Sequence, residues 1–137
     1  MKRPELKTPR RAASSVEFAV VSLAFFTLLL GMIELGRGLM VDYLLRNAAR
    51  QACRVGVPSG RTTSDIQTQL NSSLAKSGLP QTTAVVKVNG TVADASTAQS
   101  GDRISVDVTL SLGQISWLPG SRYLSANLGG TYALRRE

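Results

Sequence analysis

The side chains best placed for chemistry flank one apolar run and line the stretch behind it. Phe18 to Ile33 reads FAVVSLAFFTLLLGMI, 16 positions without a charge, with Glu17 before it and Glu34 behind it. A carboxylate at the edge of a membrane span is costly unless it is paired, hydrated or held at headgroup depth. Two readings of Glu17 stand open. It is an interfacial residue that favours a helix N-terminus, with Ser14 and Glu17 at capping-box spacing, or it meets a cation on another subunit. Glu34 marks the outer interface. Further along, Asp42, Arg46, Arg50 and Arg54 fall four apart. Asp42 and Arg46 form a favourable i, i+4 pair, whereas the three arginines seek solvent, anionic headgroups or acidic partners.

The remaining inventory excludes more than it offers. There is no His and one Cys, Cys53. That rules out a His-containing zinc site, an intramolecular disulfide and a Cys–His catalytic pair. Cys53 reads as a small packing residue, with an intermolecular disulfide as the alternative. Asp65, Asp94, Asp102 and Asp107 lack metal-ligand spacing, and no nucleotide-binding or calcium-loop signature is present. No metal, no cofactor and no enzymatic activity are expected.

The chain has 137 residues and a formal net charge of +7. Residues 1–12 hold five basic residues and one acidic residue, which is +4 of that total. The apolar run begins within seven residues of Arg11. Membrane topology therefore explains the basic tail better than nucleic-acid binding does. The positive-inside rule puts the tail in the cytoplasm and the C-terminus outside. Pro4 and Pro9 argue against helix in the tail.

The elements that must position these side chains follow from the pattern. Leucine, alanine and arginine carry helix from about Ala13 to Val55, with Leu35, Leu39, Asp42 or Tyr43, Leu45, Ala48 or Ala49, and Ala52 following a three-four spacing. At 1.5 Å per residue this helix is roughly 65 Å long. Small Ala48, Ala49, Ala52 and Cys53 allow close approach by the following domain or a neighbouring helix. Ser64 to Gln67 predicts the start of a second helix of about three turns, with Ile66, Leu70 and Leu74 as its apolar stripe. Gly78 and Pro80 end it. Thr82 to Val88 is strand-like, Asn89-Gly90 is a turn, and Arg103 to Leu112 alternates as a half-buried strand. Gly129-Gly130 is read as a break between Arg122–Leu128 and Thr131–Arg135, which supply one or two more strands. Trp117 is read as a core plug, and the Arg135-Arg136-Glu137 end as solvated. The fold class is α+β: a long membrane-spanning helix continuing outside the bilayer, packed with a short helix and a small antiparallel sheet. The expected organisation is a basic leader at 1–12, the long helix at 13–56 and an outer domain at 57–137.

Taken in order, these residues resemble a known family. A basic leader is followed by Ala12-Ala13-Ser14-Ser15 and Val16-Glu17-Phe18-Ala19. The span leaves through Glu34-Leu35-Gly36-Arg37, and Asn47 to Arg54 reads NAARQACR. This arrangement resembles the TadE family of pilus-assembly proteins, pseudopilins of the bacterial tight-adherence (Flp pilus) system. Gly101 to Val106 and Trp117 to Gly120 resemble, more weakly, that family's outer strand and loop. The resemblance implies a minor pilin-like structural subunit in the inner membrane. Its partners would be other pilin-like subunits, inner-membrane assembly proteins and membrane lipid. It also implies cutting by a prepilin peptidase between Ala12 and Ala13, where Ala12 stands in place of the family's usual Gly. The new Ala13 amine would then pair with Glu17 of a neighbour, beside Phe18, and register the subunits. Glu34, Arg37, Arg46, Ala49, Arg50, Cys53 and Arg54 would serve helix packing or partner contact. The alternative is an uncleaved, single-pass anchored envelope protein whose outer domain binds partner proteins.

Overall fold

A computed structural model describes residues 9–115 and 127–136, with side chains from residue 13 onward. Its element order is α1 (Pro9–Gly56), α2 (Thr63–Lys76), β1 (Ala84–Val88), β2 (Thr91–Val92), β3 (Arg103–Ser111), α3 (Leu112–Ile115) and β4 (Asn127–Arg135). The α+β class expected from the sequence is the one observed. The chain divides into two compact units, Met1–Gly36 and Arg37–Glu137, with the division inside α1.

The helix starts earlier than the sequence pattern suggested. Pro9 is its first residue, so residues 9–12 are helical. Proline suits a first helical position, because its missing N–H would be unpaired there anyway and its φ is already helical. Ser14 consequently lies inside the helix, and the proposed Ser14–Glu17 capping box does not form.

In the second unit, α1 from Val41 to Cys53 and the Ile66, Leu70 and Leu74 stripe of α2 share one core with one face of a four-stranded antiparallel sheet of order β2-β1-β3-β4. α1 contributes Val41, Leu45, Ala48, Ala49, Ala52 and Cys53 to the core, and α2 contributes Ile66, Leu70 and Leu74. β3 supplies Ile104, Val106, Val108 and Leu110 from alternate positions. That alternation is the sequence pattern of a strand with one face in the core.

The start of α2 differs in detail. Its N-cap is Thr62, whose side chain accepts from the Asp65 amide while the Asp65 carboxylate accepts from the Thr62 amide. Ser64 lies in the first turn instead. The box spacing of Thr62 and Asp65 matches that of Ser64 and Gln67, but a carboxylate is the stronger acceptor and favours the helix N-terminus. At the other end, Gly78 has φ +68°, the Gly78 amide donates to Ala75 O (3.1 Å) and the Leu79 amide donates to Leu74 O (3.0 Å). This is a Schellman ending that glycine makes without steric cost.

Asn89 (φ 51°) and Gly90 (φ 87°) both take left-handed backbone between β1 and β2, the two-residue turn that matches strand twist. Leu112, expected to end β3, opens the short α3 instead. Gly129-Gly130 does not break the chain: β4 runs unbroken through both, paired with β3 from Asn127↔Ser111 to Arg135↔Arg103. A Cβ on Gly130 would stand 2.7 Å from the Arg46 amide nitrogen, so Gly130 is where α1 meets the sheet backbone.

Arg136 overturns the expectation of a solvated end. It is buried, and its guanidinium donates to Ala95 O (2.6 Å), Ala98 O (2.9 Å) and Pro58 O (3.1 Å). Its own amide donates to Asp102 O at 2.8 Å. A buried cation is tolerable only when its donors are satisfied, and these carbonyls satisfy it. Trp117, the loop around it, the 122–126 part of the proposed strand, Glu137 and leader residues 1–8 lie outside the described residues.

Candidate functional site

The first unit presents its apolar side chains outward. Phe18 is 75% exposed, and Val16, Leu23, Leu28, Met32 and Leu35 are each more than half exposed. This is one helix long and apolar enough to cross a membrane, and none of its apolar window is buried within the chain. Residues 13–36 are about 36 Å long at 1.5 Å per residue, against a hydrocarbon core of about 30 Å. A helix that is apolar all round must be covered by lipid or by other helices. The helix handles its internal polar groups locally: Thr27 Oγ1 donates to Leu23 O at 2.7 Å.

The two carboxylates differ. Glu17 is exposed on the helix surface and makes no ion pair among the described residues. Glu34 is half-buried, and its Oε2 is shielded yet has no hydrogen-bond partner among the described residues. Ala13 and Phe18 are exposed, and the backbone of Ala12 lies in the first turn of α1.

The other side chains singled out from the sequence fall into two sets. Ala49 and Cys53 are fully buried within the second unit. The Cys53 thiol donates to Ile104 O at 3.5 Å, and burial pushes its pKa up. A thiol held protonated and out of solvent is a poor nucleophile. Arg37, Arg46, Arg50 and Arg54 are exposed. Arg46 pairs with Asp42 at 2.9 Å, and Arg50 lies over the Tyr132 ring, 5.3 Å from its centroid. The packing set is buried and the charged set exposed, but the two are adjacent around α1: the Arg46 backbone lies against Gly130 and Arg50 reaches Tyr132, so both arginines border the buried stripe.

No group of three or more His, Cys, Asp or Glu that could hold a metal occurs among the described residues. Asp65, Asp94, Asp102 and Asp107 are each held below the ordinary carboxylate range, chiefly by hydrogen bonds from Thr62, Ser96, Gln99 and Lys87 respectively. These bonds belong to caps, turns and a cross-strand pair, which is structural work. Arg136 was the functional-looking residue that sequence reasoning missed, and its role is to join distant loops. No local pattern could have revealed it, since its acceptors lie 38 to 78 positions away.

Residues 12–54 match the family model described as TadE-like protein, the family resembled by the same stretch of sequence. The match covers both carboxylates, the apolar run and the arginine-bearing part of α1. No curated protein and no solved structure matches the chain.

Proposed function

We propose that this chain is a minor pilin-like structural subunit for assembly of a Flp or tight-adherence-type pilus, and that it performs no chemistry itself. The observation that supports this reading is the character of residues 12–54: a TadE-like match over an apolar helix that carries Glu17 and leads directly into a packed domain. In this reading the N-terminus faces the cytoplasm, residues 13–36 lie in the inner membrane, and the second unit lies outside it. The partners are other pilin-like subunits and inner-membrane assembly proteins. Processing between Ala12 and Ala13 frees an amine that meets Glu17 of a neighbour, which offsets the cost of placing a carboxylate in the bilayer.

A fibre-assembly assay tests this. Deleting the chain should abolish or strongly reduce surface pili, and wild-type chain should restore them. Glu17→Gln should restore them poorly although the protein accumulates in the membrane. Full restoration by Glu17→Gln would remove the registry role, and normal piliation without the chain would remove the proposal.

One observation favours a second reading. The Ala12–Ala13 bond lies inside the first helical turn, and Ala12 replaces the residue usual at a prepilin cut. An uncleaved anchor, with the outer unit binding envelope proteins, accommodates both. Such a protein would leave fibres intact when deleted and alter only surface binding.

A further inference from the structure

The sheet of the second unit has a face turned away from α1 and α2, and one end of that face carries an unbalanced charge pair. Arg103 on β3 and Arg135 on β4 are directly opposed in the antiparallel register. Both are exposed, while their neighbours Ile104 and Leu134 turn toward the core. Like charges directly opposite on adjacent strands are destabilising. Neither guanidinium has a hydrogen bond, ion pair or ring contact among the described residues.

The surrounding acids are committed elsewhere. Asp107 pairs with Lys87 on the same face, so Lys87 adds no free charge. Asp102, next to Arg103, accepts from the Gln99 amide at 2.7 Å and from Asn89 Nδ2 at 2.8 Å. The buried Arg136 also acts on it and favours its charged form. Asp42, Asp65 and Asp94 are held by Arg46, by the Thr62 cap and by the Ser96 amide. A second copy of this unit therefore offers no spare carboxylate among its described residues.

The arginines border a depression rather than a flat surface. A hollow of about 330 Å³ is lined by Asn89, Gly101, Arg103, Ala133, Leu134 and Arg135. It shares Asn89, Arg103 and Ala133 with a second hollow of about 540 Å³ that continues over Ser105 and Thr131 to the Lys87–Asp107 pair. Small side chains at Ser105 and Ala133, which face each other across the strands, leave the floor low.

We propose that this groove docks an acidic segment of another protein, with one Asp or Glu carboxylate held between Arg103 and Arg135. Guanidinium forks match carboxylates through paired N–H donors. Within the groove the free positive charge is confined to one opposed pair, and the Lys87–Asp107 pair closes the far end. A polyanion such as nucleic acid or a lipid surface calls for a longer basic array. A peptide that brings one acid to the arginines and small or polar residues over Ser105 and Ala133 fits the groove. This surface lies wholly within the second unit and does not depend on the pilus reading.

The test is a nuclear magnetic resonance titration of the full chain in zwitterionic micelles. The probe is a blocked peptide of sequence Ser-Gly-Glu-Gly-Ser, followed through the arginine Nε–H signals. The Arg103 and Arg135 signals should move together and saturate, while Arg61, an exposed arginine outside the groove, stays still. Arg103→Gln and Arg135→Gln should each weaken binding by about tenfold, the size of one lost charge-assisted contact. Arg61→Gln should leave binding unchanged. Arg135→Gln should not lower the thermal midpoint, since it relieves repulsion, and that separates lost docking from lost fold. Equal movement of all arginine signals, or binding indifferent to both substitutions, would overturn the proposal. So would displacement of the peptide by lower concentrations of inorganic phosphate or phosphatidylglycerol vesicles, which would make the groove a phosphate site.

Discussion

Gly130 lies against the backbone of Arg46, so closely that a Cβ there would meet the Arg46 Cα at 2.8 Å and the Leu45 carbonyl carbon at 2.9 Å. This contact lets α1 settle onto β4 without a side chain between them. It also lets Arg50 reach the Tyr132 ring farther along the strand. The backbone of a packed helix cannot give way as the end of a flexible side chain can. Gly130→Ala should therefore destabilise the second unit by about 1–3 kcal/mol, the usual cost of overpacking. Chemical denaturation of the purified chain in detergent checks this. Gly129→Ala, whose nearest obstruction is Val108 O at 3.2 Å, should cost less. Equal effects would mean that the close approach of α1 is not what requires glycine.

Arg136 ties the chain's last described residues to the Pro58 turn and the Ala95–Thr97 turn. Arg136→Ala would leave the Ala95 and Ala98 carbonyls without these donors. The expected loss is about 3 kcal/mol, since unmet buried acceptors cost more than a surface bond is worth. Arg136→Lys keeps the charge and some donors but not the fork, and should fall between. Thermal unfolding of the two variants measures the order.

The four depressed aspartates set a pH dependence. Asp65, Asp94, Asp102 and Asp107 all titrate lower in the folded chain than their ordinary value of 3.8. The unfolded chain then binds more protons through that window, so stability rises with pH there. The contribution is fully present above about pH 4, the unfolded value, and is lost as pH falls through the lower folded values. Denaturation midpoints of the second unit should be flat from about pH 5 to 7 with respect to these groups and fall below about pH 4. Asp102→Asn should make the acid limb shallower. A limb unchanged by that substitution would assign the acid sensitivity to other groups.

Much of this architecture was legible because it rests on local periodicity. The α1 helix, the stripe Ile66, Leu70 and Leu74, the Asn89-Gly90 turn and the alternation from Ile104 to Leu110 all follow from side-chain spacing. The features that were not legible depend on residues far apart. Gly129-Gly130 has the composition of a break, yet it continues β4 because α1 occupies the space a side chain would need. Arg136 looked like a solvated end because its three acceptors come from two other loops. The cap of α2 falls at Thr62 and not at the expected Ser64, because the Asp65 carboxylate closes the box on the Thr62 amide. The two membrane-flanking carboxylates were legible as a pair, but the shielded, unpartnered Oε2 of Glu34 was not.

The central claim is that residues 12–54 make this chain a processed, pilin-like assembly subunit. The most direct measurement is the intact mass of the protein recovered from bacterial membranes that contain an active prepilin peptidase. A mature chain beginning at Ala13, carrying the free amine that meets Glu17, is the predicted result. A chain that still begins at Met1 under those conditions would contradict the account and favour the uncleaved anchor.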